Sequence, residues 1–221
     1  MKQVASKKLS ILFIMCLVVS FALTGCMPKF DASGYVKAAL DANTKGEFEA
    51  YAEITGSTVE DVEALYNQAI DTEMQYIDAY NVSDEKKEEF RQLFMNIYKS
   101  FKYEVGEATR NDDNSYTVPV TTYKLIIFEG MMKEGEEYLT NFAQAEIDAG
   151  RTPTQEQLEA EAINFMYEAM KTNFDALQYA DPVTTDITIS PTKQGSTVVY
   201  SMDTYQLQSL IESMVDIENA Q

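Results

Sequence analysis

The residue with the most definite chemistry in this 221-residue sequence is Cys26, which follows Leu23, Thr24 and Gly25. A cysteine sulfur is a nucleophile that can be alkylated. The small residues before it let an extended backbone enter a peptidase groove. The flanking sequence supplies the means of delivery. Lys2, Lys7 and Lys8 give a basic start, residues 9–23 carry no charge, and the run from Ile11 to Val19 is almost wholly apolar. A basic end, a short apolar core and small residues at the cut are the anatomy of a secretory signal. The apolar segment is shorter than the roughly 20 residues that a spanning helix needs.

Leu23-Thr24-Gly25-Cys26 closely resembles the lipobox of bacterial lipoproteins. The resemblance implies cleavage between Gly25 and Cys26, with diacylglycerol on the Cys26 sulfur. Residues 1–25 are then a signal peptide that is removed, 26–32 a short lipidated tether, and 33–221 a single extracytoplasmic domain. Two acyl chains suffice for a stable anchor, at about 0.8 kcal/mol per buried methylene. The protein is therefore expected at the cell membrane, lipid-anchored on its extracytoplasmic face.

The same cleavage decides what the rest of the chain can do. Cys16 leaves with the signal and Cys26 is taken by lipid, so no disulfide, thiolate metal site or cysteine nucleophile is expected in the mature fold. Stability without disulfides is common for envelope lipoproteins of Gram-positive bacteria, which is the source that the resemblance implies. The sequence has no histidine, the commonest general base and transition-metal ligand. No metal and no cofactor are expected. Removing three leader lysines from 17 basic residues, against 36 acidic ones, leaves a net charge of −22. Nucleic acid is a poor partner for such a surface. Cations, cationic peptides and basic proteins are favoured, although the charge also serves solubility alone.

Other constellations are weaker. Asp112-Asp113-Asn114 has calcium-ligand residue types, but an EF-hand loop starting at Asp112 would need Gly at position six and Glu at position twelve, where Thr117 and Tyr123 stand. A hairpin turn is the simpler reading. Glu134-Gly135-Glu136-Glu137 reads as a solvated helix face. Tyr35, Tyr51, Tyr66, Tyr76, Tyr80, Tyr98 and Tyr103 could line an amphipathic pocket, and Met131, Met132, Met166 and Met170 could adapt to apolar ligands. The same residues equally describe a Met-filled core with Tyr at its rim. Asn81-Val82-Ser83 matches a glycosylation sequon, but Ser83 is also placed to cap a helix. Phosphate-loop, nucleophile-elbow and zinc-protease motifs are absent from the sequence.

The spacing of apolar residues predicts the elements that carry these groups. A first helix over 35–42 is capped by Asp31 or Ser33 and broken at Thr44-Lys45-Gly46, and a second covers 47–54. A third follows a capping box of Ser57 and Glu60, with Val59, Val62, Leu65, Ala69, Ile70, Met74 and Ile77 on one face. Ser83 caps a fourth, whose stripe is Phe90, Leu93, Phe94, Ile97, Tyr98 and Phe101. The period then changes to two. A hairpin runs from Phe101, Tyr103 and Val105 through a turn at 111–115 to Tyr116, Val118 and Val120, its second strand ending in Leu125-Ile126-Ile127-Phe128. Pro119 lacks a ladder donor and should lie at an edge or bulge. Helices follow over 129–149 and behind a capping box of Thr154 and Gln157, ending at Pro182. A second hairpin pairs Val183, Thr185, Ile187 and Ile189 with Val198, Tyr200 and Met202 around Lys193-Gln194-Gly195-Ser196. Asp203 caps a last helix.

These elements predict an α+β fold, with two β-hairpins joined in one antiparallel sheet and amphipathic helices, around Phe94 and Phe165 among others, packed on its apolar surface. The order of elements over about 32–217 resembles the cone fold of the nuclear transport factor 2 superfamily, which includes ketosteroid isomerase. The long helical insert between the hairpins departs from that plan. The functional expectation is a non-enzymatic envelope lipoprotein. It is held to the membrane through Cys26 and binds an envelope protein, peptide or small ligand. An accessory domain of an envelope complex, and a cone-fold enzyme using Asp or Glu with Tyr, are the alternatives. A shallow apolar groove would favour binding, and a deep pocket inside the sheet with a buried acid would favour catalysis.

Overall fold

Helix α1 (Ala32–Lys45) occupies the centre of the molecule in the computed structural model, which describes residues 30–78, 80, 82–194 and 197–217. Ten of its fourteen residues are buried, among them Ala38, Ala39, Leu40 and Ala42, whose small side chains let neighbours approach from several sides. Asp31 caps it by accepting from the Gly34 amide at 2.9 Å, and Gly46 ends it at φ 69°, a left-handed conformation that suits glycine. Around it lie α2 (Glu49–Thr55), α3 (Val59–Asp78) and α4 (Asp84–Lys99). The cap of α3 is Thr58, whose hydroxyl accepts from the Asp61 amide at 3.1 Å. The expected Ser57 instead bonds the Thr55 hydroxyl at 2.8 Å. Ser83 caps α4 as expected, accepting from the Lys86 amide at 3.2 Å.

The sheet follows α4. Strands β1 (Lys102–Val105) and β2 (Thr109–Arg110) both pair with β3 (Tyr116–Tyr123), β3 pairs with β6 (Val183–Gln194), and β6 with β7 (Thr197–Met202), all antiparallel. The two hairpins thus share one sheet through the β3–β6 ladder, where Val118 faces Ile187. Between β1 and β2 the chain bulges. Val105 pairs with Val120 but Thr109 pairs with Thr117, one residue out of step. Pro119 sits opposite this bulge, and its carbonyl accepts from the Gly106 amide at 2.8 Å. A Cβ on Gly106 would lie 2.8 Å from Pro119 Cγ, so the position has room for glycine alone. The Ser33 hydroxyl, expected as a possible cap, closes the bulge instead. It donates to the Gly106 carbonyl at 2.8 Å and accepts from the Ala108 amide at 2.9 Å.

Val118, Val120, Ile187, Ile189 and Met202 fill the covered face of the sheet. The opposite face is polar, with Thr121 and Thr184 hydroxyls 2.8 Å apart and Tyr123 donating to Glu104 at 3.0 Å. Helices α1 and α7 (Thr204–Glu212) lie on the sheet. The helix carrying Phe165 does not pack as expected. Phe165 of α6 (Gln155–Ala176) meets Gly135 and Tyr138 of α5 (Met131–Asp148), so the long insert pairs with itself and reaches the body through α4. The reason is composition. With Glu, Gln and Asn recurring along α6, its buried residues reduce to Ile163, Met166 and Met170, too few for a face on the sheet.

The run Leu125-Ile126-Ile127-Phe128 also departs from the expected strand. The chain leaves the sheet after Tyr123, and β4 (Leu125–Ile126) pairs with β5 (Gln178–Tyr179) in a separate ribbon. Buried Asp216 draws the run away, its carboxylate accepting from the Ile127 and Phe128 amides at 2.7 and 3.0 Å. Asn173 of α6 donates to the Ile127 carbonyl at 2.7 Å. The buried apolar residues from α1 to α7 nevertheless form one connected core.

Candidate functional site

An open groove of about 750 Å³ runs between α4 and α6. The sequence makes it by placing α4's apolar stripe toward the body while its charged residues follow at the rim. Leu93, Tyr167 and Phe174 give it apolar surface, and Asp84, Glu85, Glu88, Glu89 and Asp175 face it with one lysine, Lys171. The positive charges are already engaged. Lys171 bonds Asp175 at 2.7 Å, while Lys86 bonds Glu89 at 2.5 Å with its ammonium 4.1 Å from the centre of the Tyr167 ring. Tyr167 also packs edge-on against Phe90 at 5.2 Å. Asp84 and Glu85 lie in the first turn of α4, where the helix dipole favours their charge. The groove is therefore negative and lined with apolar and aromatic surface, suited to an incoming chain that is cationic on one side and apolar on the other.

A second concentration of polar chemistry lies inside the helical layer. Glu73 of α3 is 5% exposed and accepts a hydrogen bond from the Tyr98 hydroxyl of α4. Burial pushes the Glu73 carboxyl up to about 8, only partly opposed by that hydrogen bond. The Tyr98 hydroxyl is raised well above its ordinary value by burial first and by the Glu73 charge second. Among the described residues, Glu73 Oε2 and the Tyr66 hydroxyl have no hydrogen-bond partner. Burial at this depth favours the neutral carboxyl over the carboxylate. The acid lies between helices rather than inside the sheet. A third cluster is structural in the same way: Asp41 receives the Tyr103 hydroxyl at 2.5 Å and the Lys37 ammonium, and burial raises Tyr103.

The tyrosines that might have lined one pocket do not converge. Tyr35 and Tyr51 stack at 6.2 Å in the core, Tyr66 packs on Phe48, Tyr98 faces Glu73 and Tyr103 faces Asp41, while Tyr76 is exposed. Met131, Met166 and Met170 are buried and Met132 is exposed, so core filling is the reading that holds for three of the four. Asp113 accepts from the Ser115 amide and hydroxyl at 2.9 and 2.6 Å, which makes 111–115 the expected turn and holds the Asp113 carboxyl below its ordinary range. Among the described residues, no three His, Cys, Asp or Glu side chains form a group that could hold a metal ion, and no helix is long and apolar enough to cross a membrane. Leu23, Thr24, Gly25, Cys26, Asn81 and the turn at Gly195-Ser196 lie outside the described residues.

No protein-family model and no curated protein matches the chain. Among solved structures it is similar to the crystal structure of "a putative lipoprotein (ycdA) from Bacillus subtilis subsp. subtilis str. 168", with 14% identity and a TM-score of 0.55. The similarity covers 84% of this chain and 56% of that one, so this chain spans little more than half the length of that protein. At this identity the likeness is one of fold, an α+β architecture of helices on an antiparallel sheet.

Proposed function

We propose that the protein is a lipid-anchored, extracytoplasmic, non-enzymatic lipoprotein that holds a cationic, amphipathic peptide segment of an envelope partner in the groove between α4 and α6. The observation that carries the reading is the groove itself, open, with half-buried Tyr167 and Phe174 and the edge of Leu93 lining it beside five carboxylates and one paired lysine. Anchoring is supported by Leu23-Thr24-Gly25-Cys26 and by the name of the structural neighbour. The cone-fold enzyme reading has less support, because the buried acid, Glu73, lies between α3 and α4 with its hydroxyl partner fully buried.

Binding is tested with the soluble domain lacking the leader and a synthetic amphipathic helix of Lys and Leu. Glu85→Lys with Glu88→Lys should weaken binding about tenfold, or roughly 1.4 kcal/mol, whereas Glu136→Lys with Glu137→Lys on α5 should leave it nearly unchanged. Equal losses from the two pairs would reduce the attraction to diffuse charge and refute the groove. Anchoring is tested separately. Cys26→Ala should give an unprocessed precursor without fatty-acid label, and label persisting in that variant would refute it.

A further inference from the structure

The place where the chain enters the fold is fixed by aromatic packing. Phe30 stacks on Tyr200 of β7 with ring centres 4.2 Å apart and planes 5° apart, and meets Tyr116 edge-on at 5.6 Å and Tyr35 at 5.9 Å. Tyr116 starts β3 and pairs with Ile189, and Tyr200 pairs with Pro191. Phe30 is thus pinned to one end of the sheet, the end that bears the 111–115 turn and the β6–β7 hairpin. Four residue steps separate Phe30 from Cys26, at most about 14 Å when fully extended. Beyond Tyr200 the hairpin continues through Val199, Val198 and Thr197, a further three steps or about 10 Å along the strand. The overhang and the reach of the tether are nearly equal.

Building on the anchoring reading, we infer that the domain has a fixed orientation, with the end of the sheet carrying the 111–115 turn and the β6–β7 hairpin resting against the lipid headgroups. The charge of this end fits a lipid surface better than the rest of the molecule does. Exposed Arg110 and Lys193 partly offset exposed Asp31, Asp112 and Asp113 here, whereas the mature chain as a whole is at −22. Lys193 pairs with Val198, which is 43% exposed, so the hairpin presents a cation and an aliphatic side chain together. The opposite end of the sheet is seven residues along β3, about 23 Å away. Helices α4 and α6 both end there, since Lys99 precedes β1 and Ala176 precedes β5. The Asn96, Phe174 and Asp175 end of the acidic groove is therefore more than a Debye length, about 8 Å at physiological salt, from anionic headgroups.

The mature chain has no cysteine apart from the lipidated one, so a single engineered thiol can carry a fluorophore cleanly. Full-length protein, processed and acylated, is reconstituted in vesicles whose lipids carry a nitroxide on the headgroup. Fluorophores at Asp112→Cys and Thr192→Cys should be quenched several-fold more than those at Gln178→Cys and Asp181→Cys, all four positions being exposed. Phe30→Ala should bring the two ends closer to equal quenching. Protein that carries fatty-acid label yet is quenched equally at both ends, or more at Gln178→Cys and Asp181→Cys, would overturn the orientation while leaving the anchor standing. Protein without acyl label would overturn the anchor and the orientation with it. An unchanged ratio in Phe30→Ala would overturn the part given to that ring.

Discussion

Helices α1 and α5 are of similar length and opposite in how they are held. α1 buries ten of fourteen residues, whereas α5 buries one of eighteen, Met131. The first is fixed by packing from α2, α3, α4 and the sheet. The second is fixed by local devices shared with α6: Tyr138 stacked on Phe165 at 5.2 Å, Tyr138 donating to Glu161 at 2.7 Å, Arg151 forked onto Glu146 at 2.6 Å, and the Thr154–Gln157 capping box. Each such exposed contact contributes little on its own. The difference places the groove. It lies along the seam between α4, which belongs to the rigid body, and α6, which belongs to the insert. Its width is set by the less firmly held of the two helices.

If the body is one cooperative unit, damage anywhere in it should be felt as a whole. Ile127 and Ile187 are both almost fully buried and lie in different parts of the chain, one tied to Asp216 and one on the sheet. Each Ile→Ala change should cost about 2–5 kcal/mol, a large part of a total near 5–15 kcal/mol. Both should lower the same thermal transition of the soluble domain. Two transitions, each sensitive to one change, would divide the body and end the contrast drawn above.

The second effect is smaller and depends on pH. The Glu73 carboxyl is raised from 4.5 to about 8 in the fold. Between these values the folded protein keeps a proton that the unfolded chain has released, so stability falls as pH rises from about 4.5 to 8 and levels off above. Glu73→Gln keeps an acceptor for the Tyr98 hydroxyl without an ionisable group. The variant should match the parent near pH 4.5 and melt several degrees higher near pH 9. Parallel melting profiles of the parent and Glu73→Gln across this interval would show that the Glu73 carboxyl is not raised in the fold.

How far these regions could be read from the sequence follows from the range of the physics involved. Ser83, the Thr154–Gln157 box and Asp203 rest on neighbours within a few residues, and all hold, while Pro119, expected at an edge or bulge, stands on a central strand opposite a bulge. The α4 stripe holds because one face of that helix meets the core and the other meets water. α1 reads as a short, minor helix because it is buried on most sides and so carries no stripe. Leu125 to Phe128 reads as the buried end of the second strand, but only Leu125 and Ile126 are strand, in a separate ribbon, because the group that takes the next two amides, Asp216, is far along the chain. The groove has no signature in the sequence because it needs α4 and α6 side by side. Glu73 did leave a signal, since Tyr66, Ile70, Glu73 and Ile77 follow helical spacing and put an acid on α3's buried face.

The smallest effect tests the insert itself. Phe165 is half-buried, stacks on Tyr138 and lies so close to Gly135 that a Cβ there would be 3.1 Å from the ring. Removing the ring should cost about 1 kcal/mol of pairing beyond the area it covers. That loss falls on a segment whose opening need not unfold the body. In native-state hydrogen exchange, α5 amides of the parent should exchange through openings well below the global stability, and α1 amides only through global unfolding. Phe165→Ala should speed α5 exchange further, leave α1 exchange nearly unchanged, and shift the main transition by less than Ile187→Ala does. α5 amides protected as strongly as those of α1 would show the insert to be part of the cooperative body. The groove would then be a rigid cleft, and its affinity for a basic helix would owe nothing to movement of α6.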